Sequence, residues 1–177
     1  MGNMTVVTVS GLPGTGKTTV AQLLHKRLGL QYVYSGEIFR SLAKKHGMSL
    51  ETFGSYCEAH PEVDRELDDY QIEVLKKGNV LLEGRIAGWL AVRNHIPSVK
   101  VLLTAELETR IARIVKRESG EYARRRQEVL TREACEAARY KSFYGIDVGD
   151  TSIYDIIVDT ARLTPDEIVN RILCQIR

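Results

Sequence analysis

Short β-branched runs alternate along this chain with longer stretches whose apolar residues recur every three or four positions. Thr5-Val6-Val7-Thr8-Val9-Ser10 is a near-continuous strand of the kind covered on both faces. From Lys17 to Leu28, residues Val20, Leu23, Leu24 and Leu28 fall on one helical face, and Gly29 is placed to cap it. Tyr32-Val33-Tyr34 predicts a second strand, after which Ser35 is an N-cap for a helix through about Lys45. Residues 49–78 predict helix broken near His60-Pro61, with Ser49 capping the first piece and Pro61 in the first turn of the second. Asn79–Glu83, Val99–Leu103 and Tyr154–Val158 are the remaining strands, and residues 106–118 and about 121–143 are helical. Thr164-Pro165-Asp166-Glu167 combines a capping box with a proline at the first helical position, and Ile168, Val169, Ile172, Leu173 and Ile176 form the buried face that follows.

Strands alternating with helices predict an α/β domain, a parallel sheet covered on both sides, with ligands at the carboxyl ends of the strands. The 177 residues suit one domain with its own core, and 44% apolar and 27% charged residues are ordinary soluble values. A net charge of +2 argues against a nucleic-acid partner. No apolar run is long enough to cross a bilayer, and the N-terminus lacks the basic start and apolar stretch of a signal peptide. Gly2 has no second membrane signal beside it, and Met1 to Asn3 read as an extension ahead of Met4. The expected location is the cytoplasm, with no membrane partner. Cys57, Cys135 and Cys174 are odd in number and far apart, which predicts buried free thiols rather than a disulfide or zinc framework. His25, His46, His60 and His95 have no metal-ligand spacing and read as surface or structural.

The chemistry starts after the first strand. Gly11-Leu12-Pro13-Gly14-Thr15-Gly16-Lys17-Thr18-Thr19 fills the pattern G-x-x-x-x-G-K-T between a buried strand and an amphipathic helix. Glycines let backbone N–H groups turn inward around phosphate oxygens, and the helix from Lys17 aims its positive end at them. Lys17 adds a mobile charge for the β- and γ-phosphates, and the Thr18 hydroxyl stands where a magnesium ligand is needed. Glu83 ends an apolar strand and is the candidate acid for that magnesium, ranked above Asp159.

Ser35 and Arg40 follow the second strand, and Gly84-Arg85 the third; two arginines from two strand ends could grip one acceptor phosphate with forked hydrogen bonds. On 106–118, Arg110, Arg113 and Arg117 share a face, and Arg125, Arg132, Glu136 and Arg139 make a stripe on the next helix. With Ser119-Gly120 as the turn, this hairpin predicts a lid of arginines over transferring phosphates, although Glu128–Arg132 and Arg132–Glu136 also suit an exposed helix. No His-Asp or Ser-His arrangement supplies a general base, and an anionic phosphate acceptor needs none, which tilts the reading toward a nucleoside monophosphate. Asp64-Arg65-Glu66-Leu67-Asp68-Asp69 lies in the acceptor region, where a carboxylate could accept a hydrogen bond from the acceptor's base, though a solvated helix face is the plainer reading.

The runs Ser10–Thr19, Ser35–Arg40, Val80–Trp89 and Arg139–Asp147 together resemble the archaeal-type cytidylate kinases, over nearly the whole chain from Thr5 to about Ile172. Glu83-Gly84-Arg85-Ile86-Ala87-Gly88-Trp89 and Tyr144-Gly145-Ile146-Asp147 carry the likeness most specifically. Many members of that family have threonine where this chain has Lys17, which restores the general P-loop pattern. The resemblance implies a three-layer α/β/α P-loop fold with sheet order 2-3-1-4-5, one domain over 1–177, an acceptor-binding insertion at about 35–78 and a lid at about 117–126. It implies ATP with Mg2+ and CMP or dCMP as substrates; a monomer is expected, although the sequence does not itself give the oligomeric state. Gly11 to Thr19 would bind ATP; Ser35, Arg40 and Arg85 would contact CMP; Lys17, Arg110, Arg132 and Arg139 would act on the transferring phosphoryl; Thr18 and Glu83 would hold the metal. Adenylate kinase, another small-metabolite kinase and a non-enzymatic NTP switch remain open alternatives, the last opposed by the lack of an Asn-Lys-x-Asp motif.

Overall fold

The computed structural model describes residues 5–176, apart from the side chains of Leu50, Glu51 and Glu58; Met1 to Met4, with the Gly2 question, lie outside the described residues. Five strands, β1 (Val6–Gly11), β2 (Gln31–Tyr34), β3 (Val80–Glu83), β4 (Val99–Thr104) and β5 (Ile156–Asp159), pair in parallel in the order β2-β3-β1-β4-β5. Eight helices connect them: α1 (Lys17–Leu28), α2 (Ser35–Lys45), α3 (Leu50–Ala59), α4 (Pro61–Lys77), α5 (Ala87–Arg93), α6 (Leu107–Glu118), α7 (Tyr122–Tyr144) and α8 (Pro165–Gln175).

The central strand is buried at all six positions, and its alternate side chains enter two cores. Val7 and Val9 join Leu81, Val101 and Leu103 under α1 and α8. Val6 joins Val80 and Leu82 under α4, α5 and Ile146. At the sheet edge β5 has one covered face, so Ile156 and Val158 are buried while Ile157 is 51% exposed. The strand starts two residues later than the run Tyr154–Val158 predicts, because Tyr154 packs on α5 against Gly88, where a Cβ would meet its ring at 2.8 Å.

Helix caps follow the sequence closely. Gly29 and Gly145 close α1 and α7 in the left-handed conformation, and Thr164 and Glu167 form the capping box of α8. Ser35 is the exception. It is the first residue of α2, whose N-cap, Tyr34, makes no side-chain cap, so the Ser35 hydroxyl is left facing the region over Gly84. Helix α5 lacks a signal in the sequence because Ala87, Gly88, Leu90 and Ala91 are buried together and leave no polar face to set a period. Among the three cysteines only Cys57 is buried; Cys135 and Cys174 are exposed, which corrects the expectation of three buried thiols.

Helices α2, α3 and α4 carry a small core of their own, Ala43, Phe53, Cys57 and Val63 with Phe39 and Tyr56 around them. His46 and His60 belong to this cluster as ring partners, His60 stacked on Tyr56 at 3.8 Å, which accounts for them structurally.

Candidate active site

The loop after β1 is held in place from behind. Thr15 Oγ1 donates to the Leu12 carbonyl at 2.8 Å, Arg110 Nη1 to Pro13 O at 3.0 Å, Arg113 Nη1 to Gly14 O at 3.2 Å, and Thr160 Oγ1 to Thr15 O at 2.9 Å. With these carbonyls tied outward, and the Thr15 N–H turned back to Leu12 O at 3.4 Å, the N–H groups of Gly14 and Gly16 are left to face a ligand. Gly14 has φ 82° and lies so close to α6 that a Cβ would meet the Arg110 carbonyl oxygen at 2.6 Å. The N-terminus of α1 completes the cradle: its N-cap is Gly16, no side chain caps it, and its first turn holds no acid. Such an end is an anion site in waiting.

Arg110 is therefore not a lid arginine. It is 4% exposed, is paired with Glu133 at 2.5 Å and bonds Ala105 O as well as Pro13 O, so it braces the loop from outside the cleft. The sequence places Arg110, Arg113 and Arg117 correctly on one helical face but assigns the whole face to the phosphates; Arg110 and Arg113 pack on the far side of the loop, and Arg117 alone of the three lines the cleft. Arg113 and Thr160 are missed for the same reason, since only the fold brings β5 and α6 to the loop's back.

A cleft of about 1530 Å³ opens in front of the loop. Pro13, Gly14, Gly16, Lys17, Thr18 and Thr19 line one side, while Gly11, Leu12 and Thr15 border a smaller cavity behind. Ser35, Glu83, Gly84 and Arg85 line the cleft beside the loop, and Arg117, Arg124, Thr131, Arg132 and Arg139 on α6 and α7 line the rest of the space. Arg40 is not on the wall: it is exposed and lies over the Tyr34 ring at 5.6 Å, and Tyr34 takes the lining position.

Thr18 Oγ1 donates to Glu83 Oε1 at 2.8 Å, and the Tyr32 hydroxyl donates to Glu83 Oε2 at 2.5 Å, so the buried acid is fixed with its free lone pairs toward Thr18. Asp159, the lower-ranked acid, turns away to accept from Ala161 N. No group of three or more acidic, cysteine or histidine ligands occurs among the described residues. One hydroxyl and one carboxylate beside a phosphate cradle match the way magnesium binds, keeping its waters and drawing its other ligands from substrate phosphates.

Glu136 organises the arginines. Its Oε2 accepts from Arg85 Nε at 2.7 Å and its Oε1 from Arg132 Nε at 3.0 Å. Burial works to raise its pKa, but the two guanidinium groups hold its carboxyl below the usual range. Using only the Nε atoms, this bond leaves the Nη ends of both arginines for other acceptors, apart from a 3.5 Å contact from Arg85 Nη1 to Gly11 O. Arg139 is paired instead with Asp64 at 3.4 Å and lies over Tyr140.

Lys17 Nζ donates to Leu12 O at 3.2 Å, and burial, then the neighbouring Arg85, lowers its pKa to about 7. The Arg85 charge thus reaches the lysine of the loop. A polyphosphate between them would restore the ammonium form. At pH 8, nucleotide triphosphate binding is accordingly expected to take up close to one proton, roughly 0.9 for a pKa raised well above the pH. Calorimetry in buffers of different ionisation enthalpy reads this directly, and affinity falls as pH rises above 7. An enthalpy independent of buffer would mean that Lys17 is charged before the ligand arrives.

The Tyr144–Asp147 run gains a structural account. The Tyr144 hydroxyl donates to Asp68 of the cleft wall, Gly145 ends α7, Ile146 is buried under the sheet, and Asp147 accepts from Gly149 N at 2.9 Å.

Comparison with known proteins agrees with this geometry. Residues 6–162 match the model of the cytidylate kinase-like family. A cytidylate kinase of Methanocaldococcus jannaschii is 43% identical over 166 residues, covering 93% of each chain. A cytidylate kinase of Pyrococcus horikoshii is 46% identical over 161 residues, covering 91% of this chain and 82% of the other. Among solved structures, a shikimate kinase of Bacteroides thetaiotaomicron superposes with a TM-score of 0.66 at 16% identity, covering 98% of this chain and 99% of the other, which is a likeness of fold.

Proposed function

The chain belongs to the cytidylate kinase-like family, and from that premise we propose how it phosphorylates CMP: ATP, held by the β1–α1 loop, passes its γ-phosphoryl to the CMP phosphate held by Arg85 across one cleft. The observation that carries the reading is that Lys17 and Arg85 line the same cleft, close enough for one charge to lower the pKa of the other. Two cations at such spacing are unfavourable unless anions come between them.

Each group then has a part. The backbone N–H groups of Gly14 and of Gly16 to Thr19, with the Lys17 ammonium, bind the donor phosphates. Arg85, oriented by Glu136, takes the acceptor phosphate through its Nη atoms, with the Ser35 hydroxyl beside it over Gly84. Arg132, on α7, neutralises the equatorial oxygens of the transferring group and shuts out water, and Arg139 reaches them only by leaving Asp64. Arg40 reaches the acceptor only by leaving Tyr34. Thr18 and Glu83 would hold magnesium, which would supply positive charge to offset that of the phosphates. No base is required, because the attacking oxygen already carries negative charge. The insertion of about 35–78, with its separate core, forms the acceptor wall, and the turn near 117–126 forms the lid tip.

Coupled ADP-release kinetics over CMP, dCMP, UMP, AMP and shikimate test the assignment. CMP or dCMP is expected to lead the series in kcat/KM. AMP or shikimate turning over as well as CMP would refute it.

A further inference from the structure

Asp64 and Asp68 stand one turn apart on α4, line the cleft, and are each 7% exposed. Carboxylates are seldom buried without partners. Asp68 has them: Gln71 Nε2 donates to Oδ1 at 3.1 Å and the Tyr144 hydroxyl to Oδ2. Asp64 does not. Its Oδ2 accepts no hydrogen bond among the described residues, and Arg139 Nε, 3.4 Å away, makes an ion pair outside hydrogen-bonding geometry. Burial raises the Asp64 carboxyl above its usual range, so the fold keeps an acid there at a cost.

The position of this oxygen along the cleft is informative. Gln71 Oε1 and Ser35 Oγ both crowd over Gly84, where a Cβ would meet them at 3.4 and 3.1 Å, so that end of α4 borders Arg85 and the acceptor phosphate. From Gln71 back through Asp68 to Asp64 the helix runs two turns, about 10 Å at 1.5 Å per residue. That is the scale of a nucleotide from its phosphate to the far edge of its pyrimidine.

We propose that Asp64 is the residue that selects cytosine, its Oδ2 accepting a hydrogen bond from the exocyclic amino group, with Asp68, Gln71 and Tyr144 holding the wall behind it. The inference rests on CMP being the acceptor. Uracil would turn a carbonyl oxygen toward the carboxylate, so two acceptors would face each other with neither satisfied. A site built to bond one polar group rejects an analogue that lacks it far more strongly than an apolar pocket does.

The test is the steady-state kcat/KM of the full chain and of Asp64→Asn with CMP, UMP and the pyrimidin-2-one ribonucleotide, which lacks the amino group. The unaltered protein is expected to favour CMP over both analogues by about 100-fold or more. In Asp64→Asn, activity with CMP should fall about 10- to 100-fold while UMP is unchanged or improved, so the CMP/UMP ratio collapses. Equal losses with CMP and UMP would mean that Asp64 merely holds Arg139, and would overturn the proposal. Should the variant not fold, the unaltered protein still decides: equal use of CMP and the pyrimidin-2-one nucleotide overturns it. A preference for AMP over CMP would instead strike the parent assignment, and is read in the same assay.

Discussion

Lys17→Ala is expected to lower kcat by about 10²- to 10³-fold, the usual cost of removing one charged donor aimed at the reacting group. The thermal midpoint should barely move. Among the described residues the ammonium makes one hydrogen bond, to Leu12 O, and the attraction of Glu83 and Glu136 is outweighed by burial and by repulsion from Arg85. Removing a cation whose charged form is already disfavoured costs the fold little. The loop keeps its shape in the variant because Arg110, Arg113, Thr15 and Thr160 hold its carbonyls. Turnover within a few-fold of the unaltered protein would remove Lys17 from the chemistry.

Arg85→Ala is expected to raise the KM for CMP by about 10- to 100-fold, since a charged hydrogen bond contributes about 1.5–3 kcal/mol. ATP affinity should stay within a few-fold. A second consequence follows from the same charge: without Arg85, the Lys17 pKa moves up toward its ordinary value and proton uptake on ATP binding at pH 8 shrinks. A variant that loses ATP affinity while keeping its CMP response would place Arg85 on the donor side. Product analysis with CMP at saturating concentration separates the two cases.

Much of this was legible in the residues. The strands, seven of the eight helices and the donor loop each carry a local signal: β-branched runs, apolar spacing, capping residues, or glycines in a fixed pattern. What was illegible is tertiary. The arginines of α6 share a face in any helical drawing, yet nothing local says that Arg110 and Arg113 pack behind the loop while Arg117 lines the cleft before it. The Glu136 bridge joins Arg85 to Arg132 across 51 and 4 residues, and only the second of these has a helical spacing that a sequence exposes. Arg40 shows the opposite failure. Its position on α2 is right, but stacking over Tyr34 keeps it off the wall. Asp64 and Asp68 read more plainly as a solvated helix face, and only their burial in the fold overturns that reading. Helix α5 was hidden because it is apolar nearly all round.

The central claim is that a donor cradle and an acceptor cradle open onto one space. A bisubstrate nucleotide, cytidine and adenosine joined through a chain of phosphates long enough to reach from the α1 N-terminus to Arg85, tests it most directly. The account predicts that this compound inhibits competitively against ATP and competitively against CMP, and binds more tightly than either. Competition with one substrate alone, at an affinity no better than that substrate's own, would contradict it.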